Sequence, residues 1–201
     1  MRTRIDEALF ESLQDMCALF NREIFEFYES RDSCIFSTAV VCDVLRRTLD
    51  WPHIHPMRVE AAVFPEKNGP GCVLGSAGDG SRLPAAEPGM WHGHLVTVIQ
   101  DSDGDDEYLI DTTLDQVNIN HPELDARPCV VYLPHTRWQE PPRWEGALKW
   151  TGNMHLFGNG TTVRYCKFHR QNGWKSAADF RPNRRRHLVE RLLEPIWQLM
   201  P

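Results

Sequence analysis

Along residues 5–29 the apolar side chains Ile5, Leu9, Leu13, Met16, Phe20, Ile24, Phe27 and Tyr28 recur every three or four positions, with charges between them. That is the period of an amphipathic helix laid on a core. Arg31-Asp32-Ser33 interrupts the pattern, and Ser33 is placed to cap a second helix from Cys34 to about residue 49, apolar through Ile35, Ala39, Val40 and Val41. Pro52 and Pro56 are expected to end it. A short strand is expected over 59–64. The stretch 65–90 that follows is rich in glycine and proline and much longer than an ordinary connection, so it reads as a loop over a cleft or as an insertion.

The clearest strand is 94–99, His-Leu-Val-Thr-Val-Ile, and the next is 107–113; the acidic stretch 101–106 between them supplies the turn of a hairpin. Residues 129–133 and 161–168 read as further strands, the latter following the Asn159-Gly160 turn signal. Residues 188–199 suggest a closing helix that Pro195 should kink or restart. Helices first and antiparallel strands after them predict an α+β domain, N-terminal helices packed on an antiparallel sheet. A chain of 201 residues fits one such domain, with a core over about 30–135 and a C-terminal elaboration over about 136–201.

Charge and composition narrow the classes of function. A formal net charge of −6 argues against a general nucleic-acid binder, which needs a basic face. Arg184-Arg185-Arg186 is the exception and reads as a solvated start to the last helix. No segment approaches an uninterrupted apolar membrane span. Asp6, Glu7, Glu11 and Asp15 break the N-terminal stretch where a signal peptide needs apolar residues, so a cytoplasmic location is expected. The six cysteines, at 17, 34, 42, 72, 129 and 166, include no CxxC pair. They read as reduced thiols rather than a disulfide framework or structural zinc site.

One of those thiols stands where chemistry is available to it. A thiol attacks carbonyls as its thiolate, and the positive end of a helix with unpaired backbone N–H groups favours that form. Cys34 falls in such a first turn, and the same N–H groups can hold the oxyanion of a tetrahedral intermediate. Cys17 and Cys42 lie within helices, Cys129 and Cys166 in strand-like runs, and Cys72 in the long loop is the one rival. An activated thiol needs a base, and His94 opens a strand where its ring can face a helix terminus. If the hairpin turn centres on Asp103-Gly104, His94 lies opposite Thr113 and Asp111 falls diagonally on the same face, able to orient the imidazole. A one-residue slip destroys that alignment. Cys34, His94 and Asp111 are thus the candidate catalytic residues, and the reading calls for no cofactor and no resident metal.

Two other classes stay open. His53 with His55, and His92 with His94, are His-x-His pairs whose alternate side chains share a strand face, as zinc or iron ligands would. A non-catalytic binding domain that keeps the three residues for packing is the other.

Asp32-Ser-Cys-Ile-Phe-Ser-Thr-Ala, His92-Gly-His-Leu-Val-Thr-Val-Ile and Tyr108-Leu-Ile-Asp-Thr-Thr together resemble the papain-like superfamily in its transglutaminase-like arrangement. That group includes arylamine N-acetyltransferases and the leader peptidases of lasso-peptide systems. The resemblance covers about residues 30–115. It implies a cysteine-bearing helix packed on an antiparallel sheet that carries the histidine and aspartate, and a covalent acyl-enzyme. Cys34 would be the nucleophile, His94 the base and then the acid, and Asp111 the orienting carboxylate. It further implies a peptide or amide-bearing substrate and a thiol protease or amidase, with an acyltransferase as the alternative. The glycine-rich approach to the cysteine and the tryptophan after it, both usual in the superfamily, are missing here.

Overall fold

The computed structural model describes residues 7–28, 33–49, 53–65, 71–75, 93–100, 106–134, 153–156, 160–167 and 173–200. The apolar stripe at the N-terminus forms helix α1 (Glu7–Tyr28), which buries Leu9, Leu13, Met16, Cys17, Phe20 and Ile24. Helix α2 (Cys34–Thr48) is different in kind. Residues 35–42 are all buried, and four consecutive helical positions already span every side, so α2 is enclosed rather than laid on a surface. Helix α3 (Pro182–Gln198) packs beside it through Leu188, Val189, Leu192 and Ile196.

The strands are β1 (His53–Phe64), β2 (Cys72–Leu74), β3 (His94–Gln100), β4 (Asp106–Asp111), β5 (Cys129–Pro134), β6 (Asn153–Leu156) and β7 (Thr162–Lys167). They form one sheet in the order β5-β4-β3-β1-β7-β6, with β2 also paired to β1 and every pairing antiparallel. The expected α+β class, helices against an antiparallel sheet, is what the chain adopts. Ile54, Ile99, Tyr108, Ile110 and Val130 pack against the three helices. Val59, Val96, Val98, Leu109 and Val163 point the other way and close against Leu114, Val117 and Leu124 from the segment after β4. Both faces are covered, which is why 94–99 is apolar at successive positions rather than at alternate ones.

Several elements depart from the sequence expectation. Pro56 does not end a helix but lies inside β1, opposite Thr97 of β3. Ile54, two residues earlier, turns its carbonyl away from β3 to accept from Arg46 Nε at 2.9 Å. Pro56 shares that direction, and β7 covers β1 only from Val59 onward, so no ladder bond needs the missing N–H. α3 starts earlier than expected, with Pro182 in its first turn, and runs on through Pro195 without restarting. Pro182 sits where no N–H is required. Pro195 is on the exposed side of the helix, where water can serve the Arg191 carbonyl.

The stretch 65–90 contains the short strand β2, and its residues 66–70 and 76–90 lie outside the described residues, as do 101–105 of the expected hairpin turn. β6 and β7, from the stretch read as an elaboration, extend the central sheet. Of the arginine triplet only Arg184 and Arg186 are exposed. Arg185 is buried, donates from Nε to Asp43 Oδ2 at 2.7 Å and from Nη1 to the Phe180 carbonyl, and so clamps α3 to α2. Among the described residues no helix is long and apolar enough to cross a membrane.

Candidate active site

Cys34 is the first residue of α2, and Ser33 stands at the cap position without a side-chain capping bond. The Ser33 carbonyl accepts from Ser37 N at 2.8 Å, which opens the helical ladder. The N–H groups of Cys34, Ile35 and Phe36 therefore precede that ladder. One turn further in, two hydroxyls tie the helix to the strands that carry the other candidates. Thr38 Oγ1 donates to Leu95 O at 2.9 Å, beside His94. Ser37 Oγ and Thr112 Oγ1 share a 2.5 Å hydrogen bond, beside Asp111. The start of α2 is thus fixed against both strands at once.

The β3–β4 ladder pairs Thr97 with Ile110 and Val98 with Leu109. Continued to the strand ends, it sets His94 across from Thr113 and Asp111 across from Val96. Asp111 is accordingly the diagonal neighbour of His94 on one face, and His94 Nε2 donates to Asp111 Oδ2 at 2.6 Å. Both side chains are completely buried. The hairpin alignment on which this pairing depended is the one the chain adopts.

The carboxylate is saturated with donors. Besides His94, Tyr165 OH donates to Oδ2 at 2.9 Å and Thr113 N donates to Oδ1 at 3.1 Å. Tyr165 reaches it because β1 lies between β3 and β7: Val59 pairs with His94, Ala61 pairs with Tyr165, and residues two apart share a face. On the opposite edge of the ring, Gln116 Nε2 stands 2.9 Å from His94 Nδ1. Gly75, with φ of +90°, lies against the start of β3. A Cβ there would come within 2.5 Å of Val59 O and 3.1 Å of His94 N, so any larger residue would push the histidine strand away.

Cys34 is half-buried, packs against the cluster of Ile35, Leu95, Trp174 and Ala177, and donates its thiol to Gly93 O at 3.7 Å. Burial alone would pull the His94 pKa down, but the Asp111 charge, its hydrogen bond and the nearby Cys34 outweigh it. The imidazole is pushed up from 6.5 to about 10. The ring is thus held toward its charged form, with the Asp111 carboxylate at one nitrogen and the Gln116 amide at the other.

The remaining described thiols are placed otherwise. Burial pushes up the thiols of Cys17, Cys42 and Cys129, keeping them neutral, and Cys72, half-buried, is also raised by desolvation. Cys17 Sγ donates to the Asp111 carbonyl at 3.5 Å and Cys129 Sγ lies 3.3 Å from Tyr165 OH, so both line the back of the carboxylate. Cys166 falls in β7 with its side chain outside the described residues.

The described members of the His-x-His pairs do not converge. His53 pairs with Gln100 and His94 with Val59, at opposite ends of the β1–β3 ladder, about 20 Å apart at the strand rise. His92 lies outside the described residues. Among the described residues no three His, Cys, Asp or Glu side chains gather as a metal ion would need.

Sequence reasoning missed Tyr165, Gln116, Ser37, Thr38 and Gly75. For Tyr165 the signal was its alternation with Val163 in a stretch already read as a strand. For Ser37 and Thr38 it was two hydroxyls inside an otherwise apolar helix. Nothing local marked Gln116 or Gly75. No protein-family model, curated protein or solved structure matches this chain.

Proposed function

We propose that this chain is a cysteine-dependent acyl-transfer enzyme of papain-like, transglutaminase-like arrangement, most simply a thiol protease or amidase acting on a peptide or amide-bearing substrate. The observation that carries the reading is the His94–Asp111 pair, fully buried at 2.6 Å, with the half-buried Cys34 at a helix start and bonded to Gly93 O beside that histidine. A carboxylate that only closed a strand end would not need three donors, one of them a fully buried histidine.

The Cys34 sulfur attacks the substrate carbonyl, and its own proton has passed to His94. The carbonyl electrons move to oxygen, where the first-turn N–H groups of α2 can receive the charge. Collapse expels the amine, which takes its proton from His94, and leaves a thioester on Cys34. Water then gives a proton to His94 and its hydroxide to the thioester; acid and thiol are released. Asp111 holds the ring in one orientation and balances its charge throughout. An amine in place of water would give transfer rather than hydrolysis, through the same first half.

Labelling with iodoacetamide tests the reading without a known substrate. At neutral pH Cys34 should be alkylated well before Cys72, the other half-buried described thiol, as read by peptide mapping over time. Labelling of Cys72 at an equal or greater rate would sink the proposal.

A further inference from the structure

The His94 ring has two nitrogens, and each offers one in-plane place for a proton or a hydrogen bond. At Nε2 that place is taken by Asp111 Oδ2, 2.6 Å away, and at Nδ1 by the Gln116 amide, 2.9 Å away. The Cys34 thiol instead donates to Gly93 O at 3.7 Å, one residue before the histidine. Nucleophile and base are thus neighbours whose proton-exchange position is filled by a third side chain. We propose that Gln116 is an autoinhibitory latch: its amide occupies His94 Nδ1 in the resting protein, and Cys34 and His94 become a working pair when that side chain swings out. This rests on the acyl-transfer reading above and adds to it the step that opens the site.

An amide holds this place in either state of the ring. Its N–H donates to Nδ1 of a neutral imidazole, and after a half-turn its oxygen accepts from Nδ1–H of a charged one. Both proton transfers of the chemistry need Nδ1 open. The thiol proton must reach it before Cys34 attacks, and the leaving amine must reach it to take that proton away. With Asp111 retaining Nε2, no other nitrogen of the ring serves.

The mounting of Gln116 lets the side chain leave while the backbone stays. It lies in the 3₁₀ helix Leu114–Ile119, where Thr113 O accepts from Gln116 N at 3.1 Å and Leu114 and Val117 are buried in the core. Asn118 makes a double hydrogen bond with the Ala126 backbone, at 2.8 Å and 2.9 Å, closing the segment on itself. Gln116 itself is half-buried, and the one described hydrogen bond of its amide is that to His94. Swinging the amide out exchanges this bond for one to water. Asp111, completely buried and bonded by three donors, has no such exit. One nitrogen of the ring is therefore fixed and the other releasable.

The test is the rate of Cys34 alkylation by iodoacetamide at neutral pH, read by peptide mapping, for the wild type, Gln116→Ala, Gln116→Glu, His94→Gln and the double variant His94→Gln/Gln116→Ala, with urea unfolding midpoints measured alongside. Iodoacetamide is displaced at carbon with no oxyanion, so its rate reports the thiol and ring rather than an oxyanion hole. A latch held by about one hydrogen bond is open roughly a tenth of the time, so Gln116→Ala should alkylate Cys34 about tenfold faster than the wild type. Gln116→Glu sets a carboxylate on the charged ring and should alkylate Cys34 more slowly than the wild type. In the double variant the gain should vanish, because no ring is left to release. A gain that persists there reports a loosened surface around Cys34 and overturns the latch, as does a folded Gln116→Ala at or below the wild-type rate; neither outcome touches the triad. Should Gln116→Ala fail to fold, a Gln116→Glu rate at or above the wild type overturns the latch equally. A wild-type Cys34 no faster than Cys72 would instead overturn the acyl-transfer reading itself, and the latch with it.

Discussion

His94→Gln is expected to lower the rate at which Cys34 takes an acyl group from an activated ester by about a thousandfold, within the range that positioned proton transfer supplies. The substitution keeps an N–H able to reach Asp111 but removes the titrating ring. It also removes the charged partner of a fully buried carboxylate and should lower stability, so rates are compared only where urea unfolding shows the variant folded. His94→Ala is the wrong variant here, because it would empty a fully buried site and leave the carboxylate facing a cavity. Stopped-flow release of p-nitrophenol from p-nitrophenyl acetate reads the rate, with Cys34→Ala as the background. A folded His94→Gln protein within threefold of the wild type would remove the histidine from the chemistry.

Asp111→Asn should destabilise the fold and change how its stability depends on pH. The carboxylate receives bonds from His94, Tyr165 and Thr113 while wholly buried. An amide has one oxygen to offer three donors and turns its own N–H groups toward the others. The loss at neutral pH should be about 3–5 kcal/mol, as when one partner of a buried ion pair is removed.

The pH dependence follows from His94. Its pKa is raised to about 10 in the folded protein, against about 6.5 when unfolded. Below about 6.5 both states hold the proton, and the contribution to stability is complete. Between about 6.5 and about 10 the folded state keeps a proton that the unfolded state has lost, so stability falls as pH rises, by at most about 1.4 kcal/mol per unit. Above that window the contribution is gone. Burial also raises Cys17, Cys129 and Tyr165, but these act only above their ordinary values, about 8.5–10. Urea unfolding at a series of pH values from about 6.5 to about 8.5 therefore isolates the histidine. The wild type should lose stability across that window and Asp111→Asn should be flatter; parallel curves would mean that the pair is not an ion pair.

The local periods of the chain carried the helices and most strands, because each of those signals lies within one element. The i+3/i+4 stripe of Leu9, Leu13, Met16, Phe20 and Ile24 is buried as its spacing implies. The His94–Asp111 alignment was readable for a related reason. A hairpin joins strands close in sequence, and counting back from Asp103-Gly104 reaches the register that the β3–β4 ladder has.

What stayed hidden depends on contacts between distant segments. Tyr165 reaches Asp111 only because β7 pairs with β1 and β1 with β3, and no local period records which strands become neighbours. Trp174, which packs in the cluster against Cys34, comes from the same late stretch. Pro56 looked like a terminator because proline usually removes a needed donor, and its place in β1 is harmless only through the short reach of β7. Gln116 is legible only once the ring it touches has been located.

The most direct test of the account is to find the residue that carries the acyl group. The 201-residue chain is mixed with p-nitrophenyl acetate, quenched in acid at intervals, and followed by intact mass and peptide mapping. The expected result is a single acetyl group on Cys34 that appears with the p-nitrophenol burst, decays as acetate is released, and is missing in Cys34→Ala. An acetyl group on another residue, or wild-type turnover retained by Cys34→Ala, would contradict the assignment of Cys34 as the nucleophile.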